Sequence, residues 1–90
     1  MNLNAQQREQ LRLSLLRFLD VNPARFGLAV PLLLQMVRNE GWPANGDSVA
    51  AELQYLADKK LAEPVDKIIS PENRAWRITA TGRDHLALNE

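Results

Sequence analysis

The last third of the chain changes from a helical to an alternating pattern of apolar residues, and no other feature constrains the fold as strongly. In the helical part, the apolar residues that recur on one helix face are Val49, Leu53 and Leu56. In the part that follows, Trp76 and Ile78 alternate with polar residues, as expected for a strand with one buried face. The pattern predicts two strands, 62–70 and 74–79, joined by a turn at 71–73. A helix followed by an antiparallel hairpin is therefore predicted here.

Two further helices are predicted before this segment. In residues 5–20, the apolar residues fall within an arc of roughly 160° around the helix axis. These residues are Leu11, Leu15, Leu16, Phe18 and Leu19. Leu13 lies outside the arc and is expected to face solvent, whereas Arg12 lies inside it. The second helix is predicted to begin near Pro31 and to end near Gly41. Its apolar stripe consists of Val30, Leu33, Leu34 and Val37.

The sequence also predicts the helix caps and the residues of the core. Asp47 or Ser48 is expected to cap the third helix, and Thr81 a short last helix, because their side-chain oxygens can accept from free backbone N–H groups. Residues 27–29 are predicted as a brief strand, and Trp76 is expected to be buried under the hairpin. The predicted core consists of Leu15, Phe18, Leu19, Leu33, Val37, Leu53 and Leu56.

Composition excludes several classes of function. The 90 residues predict one domain, 1–90. The chain has no cysteine and one histidine, so disulfides and the usual zinc ligand sets are excluded. The sequence has no glycine-rich loop and no nucleophile motif, so we expect neither an enzyme nor a bound cofactor. No apolar run approaches the ~20 residues of a membrane span, and the N-terminus has no signal pattern. A cytoplasmic protein is therefore expected.

The predicted elements, taken in order, resemble the winged helix-turn-helix superfamily. At the end of the third helix, the residues that carry the resemblance are Leu53, Leu56, Asp58, Lys59, Lys60 and Leu61. In the returning strand and the closing helix they are Trp76, Ile78, Thr79, Gly82 and Arg83. The resemblance is to small bacterial or phage regulators of the MarR, PadR and ArsR kind, and it covers residues 5–88. It implies an α+β fold with a three-helix core, a two-stranded β-hairpin wing and a short C-terminal helix.

The resemblance also implies binding to double-stranded DNA and a role in transcription regulation. In such domains the third helix enters the major groove, and the resemblance places Lys67 and Arg74 beside the wing tip, within reach of phosphates or the minor groove. The residues that this places at the nucleic acid are Ser48, Ala51, Glu52, Tyr55, Lys59, Lys60, Lys67, Arg74 and Arg77. Regulators of this fold usually pair to read two half-sites, and Leu13, Leu86 and Leu88 are the expected surface of a homodimer.

A second interpretation is a winged-helix module that contacts another protein and not DNA. Eleven basic residues balance eleven acidic ones, whereas small DNA-binding domains usually carry a basic surplus. The third helix includes Asp47, Glu52 and Asp58, and the wing includes Asp66 and Glu72. A continuous basic surface around the third helix would favour DNA, and an acidic or apolar surface would favour a protein partner.

Overall fold

The computed structural model describes residues 3–21, 27–65 and 75–89. These residues form four helices and one antiparallel sheet of three strands. The helices are α1 (Ala5–Val21), α2 (Val30–Asn39), α3 (Gly46–Asp58) and α4 (Ala80–Leu88). The strands are β1 (Leu28–Ala29), β2 (Ala62–Pro64) and β3 (Ala75–Ile78). The predicted α+β class is confirmed.

The sheet places β3 in the middle, between β1 and β2. β2 and β3 pair antiparallel, with Ala62 opposite Ile78 and Pro64 opposite Trp76, so the predicted pairing is confirmed at the base of the hairpin. β1, which was predicted as a brief strand, pairs antiparallel with the other side of β3. The predicted turn and the strand segments beside it, 66–74, lie outside the described residues.

The core is built around α1, which packs against α2, α3, α4 and β3. Six of the seven predicted core residues are buried, and the seventh, Phe18, is half-buried and packs against the others. Trp76 is 4% exposed, as predicted. Trp76 belongs to the core cluster, and its strand contacts α1, so its side chain lies on the face of β3 that the helices cover.

Two leucines that the sequence pattern places at the surface lie in the core. Leu13 is 6% exposed and Leu86 is 4% exposed, so the predicted exposure of both is wrong. The reason is that four elements surround α1, whereas an amphipathic helix packed on one side buries only one stripe. Of the three leucines of the expected dimer surface, Leu88 alone is exposed.

The caps of α3 and α4 lie two to three residues earlier than predicted. Asn45 caps α3: its Oδ1 accepts from the Ser48 N–H at 2.8 Å, and its own N–H donates to Ser48 Oγ at 3.0 Å. Thr79, and not Thr81, caps α4 by accepting from the Gly82 N–H at 2.9 Å. The Thr79 hydroxyl also donates to the Lys60 carbonyl at 2.7 Å. It therefore ties the start of α4 to the segment that follows α3.

Candidate functional site

The outward face of α3 is the first candidate surface, because the predicted nucleic-acid contacts are concentrated on this helix. Its buried residues are Val49, Glu52, Leu53 and Leu56. The exposed residues opposite them are Asp47, Ala50, Ala51, Gln54 and Asp58, and we call this set the outward stripe. At 100° per residue, the outward stripe is rotated by about 100° from the predicted one, which contained Ser48, Ala51, Glu52, Tyr55 and Lys59. Ala51 belongs to both sets.

Glu52 faces α1 and not solvent, so its predicted place among the DNA-contacting residues of α3 is wrong. The side chain is 5% exposed. One carboxylate oxygen accepts from Arg8 at 2.9 Å, and the other accepts from Arg12 Nε at 2.7 Å. Arg8 and Arg12 are four residues apart and therefore project from the same face of α1. Two charge-assisted donors satisfy both oxygens of the buried carboxylate.

The sequence contained a sign of this cluster. Arg12 lies inside the apolar arc of α1, where a lone charge is expensive to bury unless it has a partner. Glu52 is three residues after Val49 and four residues before Leu56, so it lies at the edge of the buried face of α3. The two irregularities together predict an ion pair between the helices, whereas each alone is compatible with an exposed side chain.

Tyr55 stands at the edge of the outward stripe between two cations. The Arg12 guanidinium carbon lies 3.7 Å from the centre of the tyrosine ring, and the Lys59 ammonium lies 5.7 Å from it. Both distances are within the range of cation–π attraction. Tyr55 is 37% exposed, so its ring is held by α1 while one part of it remains open to solvent.

Two depressions lie between α1 and α3. One, of about 430 Å³, lies between the starts of α1 and α3 and brings together Arg8, Ser48, Ala51 and Glu52. The other is a groove of about 340 Å³ between α1, α3 and α4. Its lining residues are Glu9, Arg12, Tyr55, Leu56, Lys59, Leu61 and His85.

The remaining predicted contact residues lie at the end of α3 and on the hairpin. Lys59 and Lys60 are exposed, and Lys60 adopts a left-handed backbone with a φ of 65°. Arg77 is exposed on β3, and its Nε lies 2.6 Å from a carboxylate oxygen of Glu63. Lys67 and Arg74 lie outside the described residues.

The described residues give no sign of a metal site or a membrane span. Within 3–21, 27–65 and 75–89, no three histidine or acidic side chains are grouped as metal ligands. Over the same ranges, none of the helices combines the length and the apolar character that crossing a bilayer requires. No protein-family model, no curated protein and no solved structure matches the chain. An interpretation of function therefore depends on the geometry of α3 and its neighbours.

Glu52→Ala is expected to lower the free energy of unfolding by about 2 kcal/mol, because the Arg12 guanidinium would stay largely buried without its main partner. Only 14% of the Arg12 side chain is exposed, and its other carboxylate, on Glu9, is 3.6 Å away. Arg8, with 51% of its side chain exposed, can rehydrate, which keeps the loss below that of a fully buried pair. Urea unfolding at neutral pH measures the change.

The matched control is Asp58→Ala, which removes an exposed carboxylate from the same helix. This variant is expected to change the free energy of unfolding by no more than about 0.5 kcal/mol. Equal losses in the two variants would show that the contacts of Glu52 with α1 add nothing to stability.

Proposed function

We propose that this chain is a winged-helix protein that binds double-stranded DNA and regulates transcription. The order of the elements is the observation that supports the proposal. Three helices are followed by an antiparallel strand pair, whose first strand begins four residues after the last residue of α3, and β1 completes the sheet. In this arrangement α3 is the helix that can enter a major groove, with the hairpin beside it. One fold can host many functions, so the order of the elements alone does not establish binding. Whether α3 contacts DNA depends on the side chains that it exposes.

The middle of the outward stripe is suited to contact with base edges. Ala50 and Ala51 are small, so they permit close approach and can contact a thymine methyl group. Gln54 can donate to and accept from adenine, once it releases the hydrogen bond that its amide donates to Asp58 at 3.1 Å. Lys59 and Lys60, which follow α3, are exposed and can contact phosphates.

The carboxylates of the outward stripe favour a second candidate function, contact with a protein partner. Asp47 and Asp58 lie near the two ends of the stripe, and the stripe contains no lysine or arginine. In a DNA complex both carboxylates would approach phosphates, which lowers affinity. A basic segment of a partner protein would instead be attracted to them.

A salt-dependent titration with duplex DNA tests the proposed function. About four phosphate contacts are expected to give a log–log slope of affinity against salt near −3.6. Asp47→Asn combined with Asp58→Asn is expected to strengthen binding about fivefold, since two repulsive charges are removed from the contact surface. The measurement is fluorescence anisotropy of a labelled duplex.

The control is Glu40→Gln combined with Asp84→Asn, which removes two exposed carboxylates that lie outside α3. It changes the net charge by the same amount and is expected to change affinity less. If the two double variants bind equally well, α3 does not face the DNA. If the parent chain does not bind a duplex even at low salt, DNA binding is rejected and a protein partner is favoured.

A further inference from the structure

The chain contains a single Asn-Gly pair, Asn45–Gly46, and the start of α3 is built on it. In such a pair the backbone nitrogen of the glycine can attack the asparagine side chain, because glycine has no Cβ to obstruct the approach. Asn45 is exposed to water, and a Cβ placed on Gly46 would have nothing within 4 Å. The start of α3 is therefore open to the water that hydrolyses a cyclic intermediate.

We propose that Asn45–Gly46 is a site of spontaneous deamidation and that the cap of α3 controls its rate. The Gly46 nitrogen gives up its proton to a solvent base and attacks Asn45 Cγ. A carbon–nitrogen bond forms, the Cγ–Nδ2 bond breaks, and the side-chain nitrogen leaves as ammonia after taking a proton from solvent. Water then opens the resulting succinimide at one of its two carbonyls, which yields aspartate or isoaspartate at position 45.

In the folded chain, three hydrogen bonds between Asn45 and Ser48 hold Asn45 away from this reaction, and in one of them Ser48 Oγ donates to the Asn45 carbonyl at 2.9 Å. Asn45 Oδ1 accepts from the Ser48 N–H at 2.8 Å, and the Asn45 N–H donates to Ser48 Oγ at 3.0 Å. Its backbone is extended, with φ −123° and ψ 174°. To close a five-membered ring, the Gly46 nitrogen must turn towards Cγ by rotation about the Cα–C bond of Asn45. That rotation would swing α3 away from its capping side chain, so the reaction requires the cap to open.

The two products have different effects on α3. An aspartate at position 45 can still accept from the Ser48 N–H, and its charge suits the positive end of the helix dipole. An isoaspartate adds a methylene to the main chain and shortens the side chain, so the paired cap bonds with Ser48 are lost. Either product adds a negative charge close to Asp47. If the proposed DNA contact through α3 is correct, deamidation weakens it irreversibly, whereas the deamidation itself does not depend on that function.

Incubation of the full chain at mildly alkaline pH, followed by peptide mapping with mass spectrometry, tests the proposal. In denaturant, conversion is expected at Asn45 well before Asn39, whose following residue is Glu40. In native buffer, Asn45 is expected to convert more slowly than in denaturant. Ser48→Ala removes the two hydrogen bonds that the Ser48 hydroxyl makes with the Asn45 backbone and is expected to speed conversion of the folded chain about fivefold. Gly46→Ala is expected to slow conversion in both conditions.

Each result has a defined meaning. Equal conversion of Asn45 and Asn39 in denaturant would show that Asn45–Gly46 is not a preferred site of deamidation, which would overturn the proposal. Equal rates for Asn45 in native buffer and in denaturant, or no acceleration by Ser48→Ala, would overturn control by the cap. The measured quantity is the mass of one peptide, so the outcome of this experiment does not depend on whether the chain binds DNA.

Discussion

Replacing Gly82 with alanine is expected to lower the free energy of unfolding by at least about 3 kcal/mol, near the upper end for overpacked sites. Gly82 lies in the first turn of α4 and is buried. A Cβ there would overlap the Leu61 carbonyl oxygen and lie 2.8 Å from Ile78 Cγ1. The Leu61 carbonyl cannot move freely, because it accepts from the Thr79 N–H at 3.1 Å. Urea or thermal unfolding measures the loss.

Gly46→Ala is the matched control, since Gly46 also lies in the first turn of a helix. A Cβ at Gly46 would have nothing within 4 Å. The control is expected to be neutral or to stabilise by up to about 0.5 kcal/mol, because alanine restricts the unfolded chain more than glycine does. If Gly82→Ala were as harmless as this control, α4 would not pack closely on Leu61.

Trp76→Ala is the second substitution with a large expected effect, a loss of about 3–5 kcal/mol. The indole is 4% exposed and lies in the central strand of the sheet. Its removal would leave a cavity where the sheet meets the helices. A loss of this size is a large part of the total stability of a small domain, which is about 5–15 kcal/mol. A thermal melt equal to that of the parent chain would place Trp76 at the surface.

Trp76→Phe separates the volume of the indole from its N–H group. Among the described residues, no acceptor lies within hydrogen-bonding distance of Trp76 Nε1. Phenylalanine removes this unpaired buried donor and keeps much of the ring, so the expected loss is only about 1 kcal/mol. If the phenylalanine variant were as unstable as the alanine variant, the indole N–H would have a partner that stabilises the fold.

Apolar periodicity predicted the elements of this fold because apolar side chains show which face of each element is buried. Leu53 and Leu56 on α3, and Trp76 on β3, are buried as their spacing indicates. The burial of Glu52 did not follow from the same pattern. Glu52 is paired with Arg8 and Arg12, which are 44 and 40 residues away in sequence. A local pattern does not contain such a contact.

The errors at Leu13 and at the start of α3 have other physical causes. Leu13 is buried because four elements surround α1, and the number of neighbours of a helix is not encoded in its own periodicity. At the start of α3, Asn45, Asp47 and Ser48 all have side chains that can cap a helix. The choice depends on which residue has the extended backbone, and that residue is Asn45.

The short outer strands of the sheet have a consequence for aggregation. Growth of fibrils by edge pairing requires a long row of free backbone N–H and C=O groups on an outer strand. Here β1 is two residues long, and the three residues of β2 end in Pro64, which has no N–H. The described edges therefore offer little template for a strand of another molecule. We expect these two edges not to start amyloid growth from the folded chain, whereas exposed helix side chains such as Leu88 remain available for self-association.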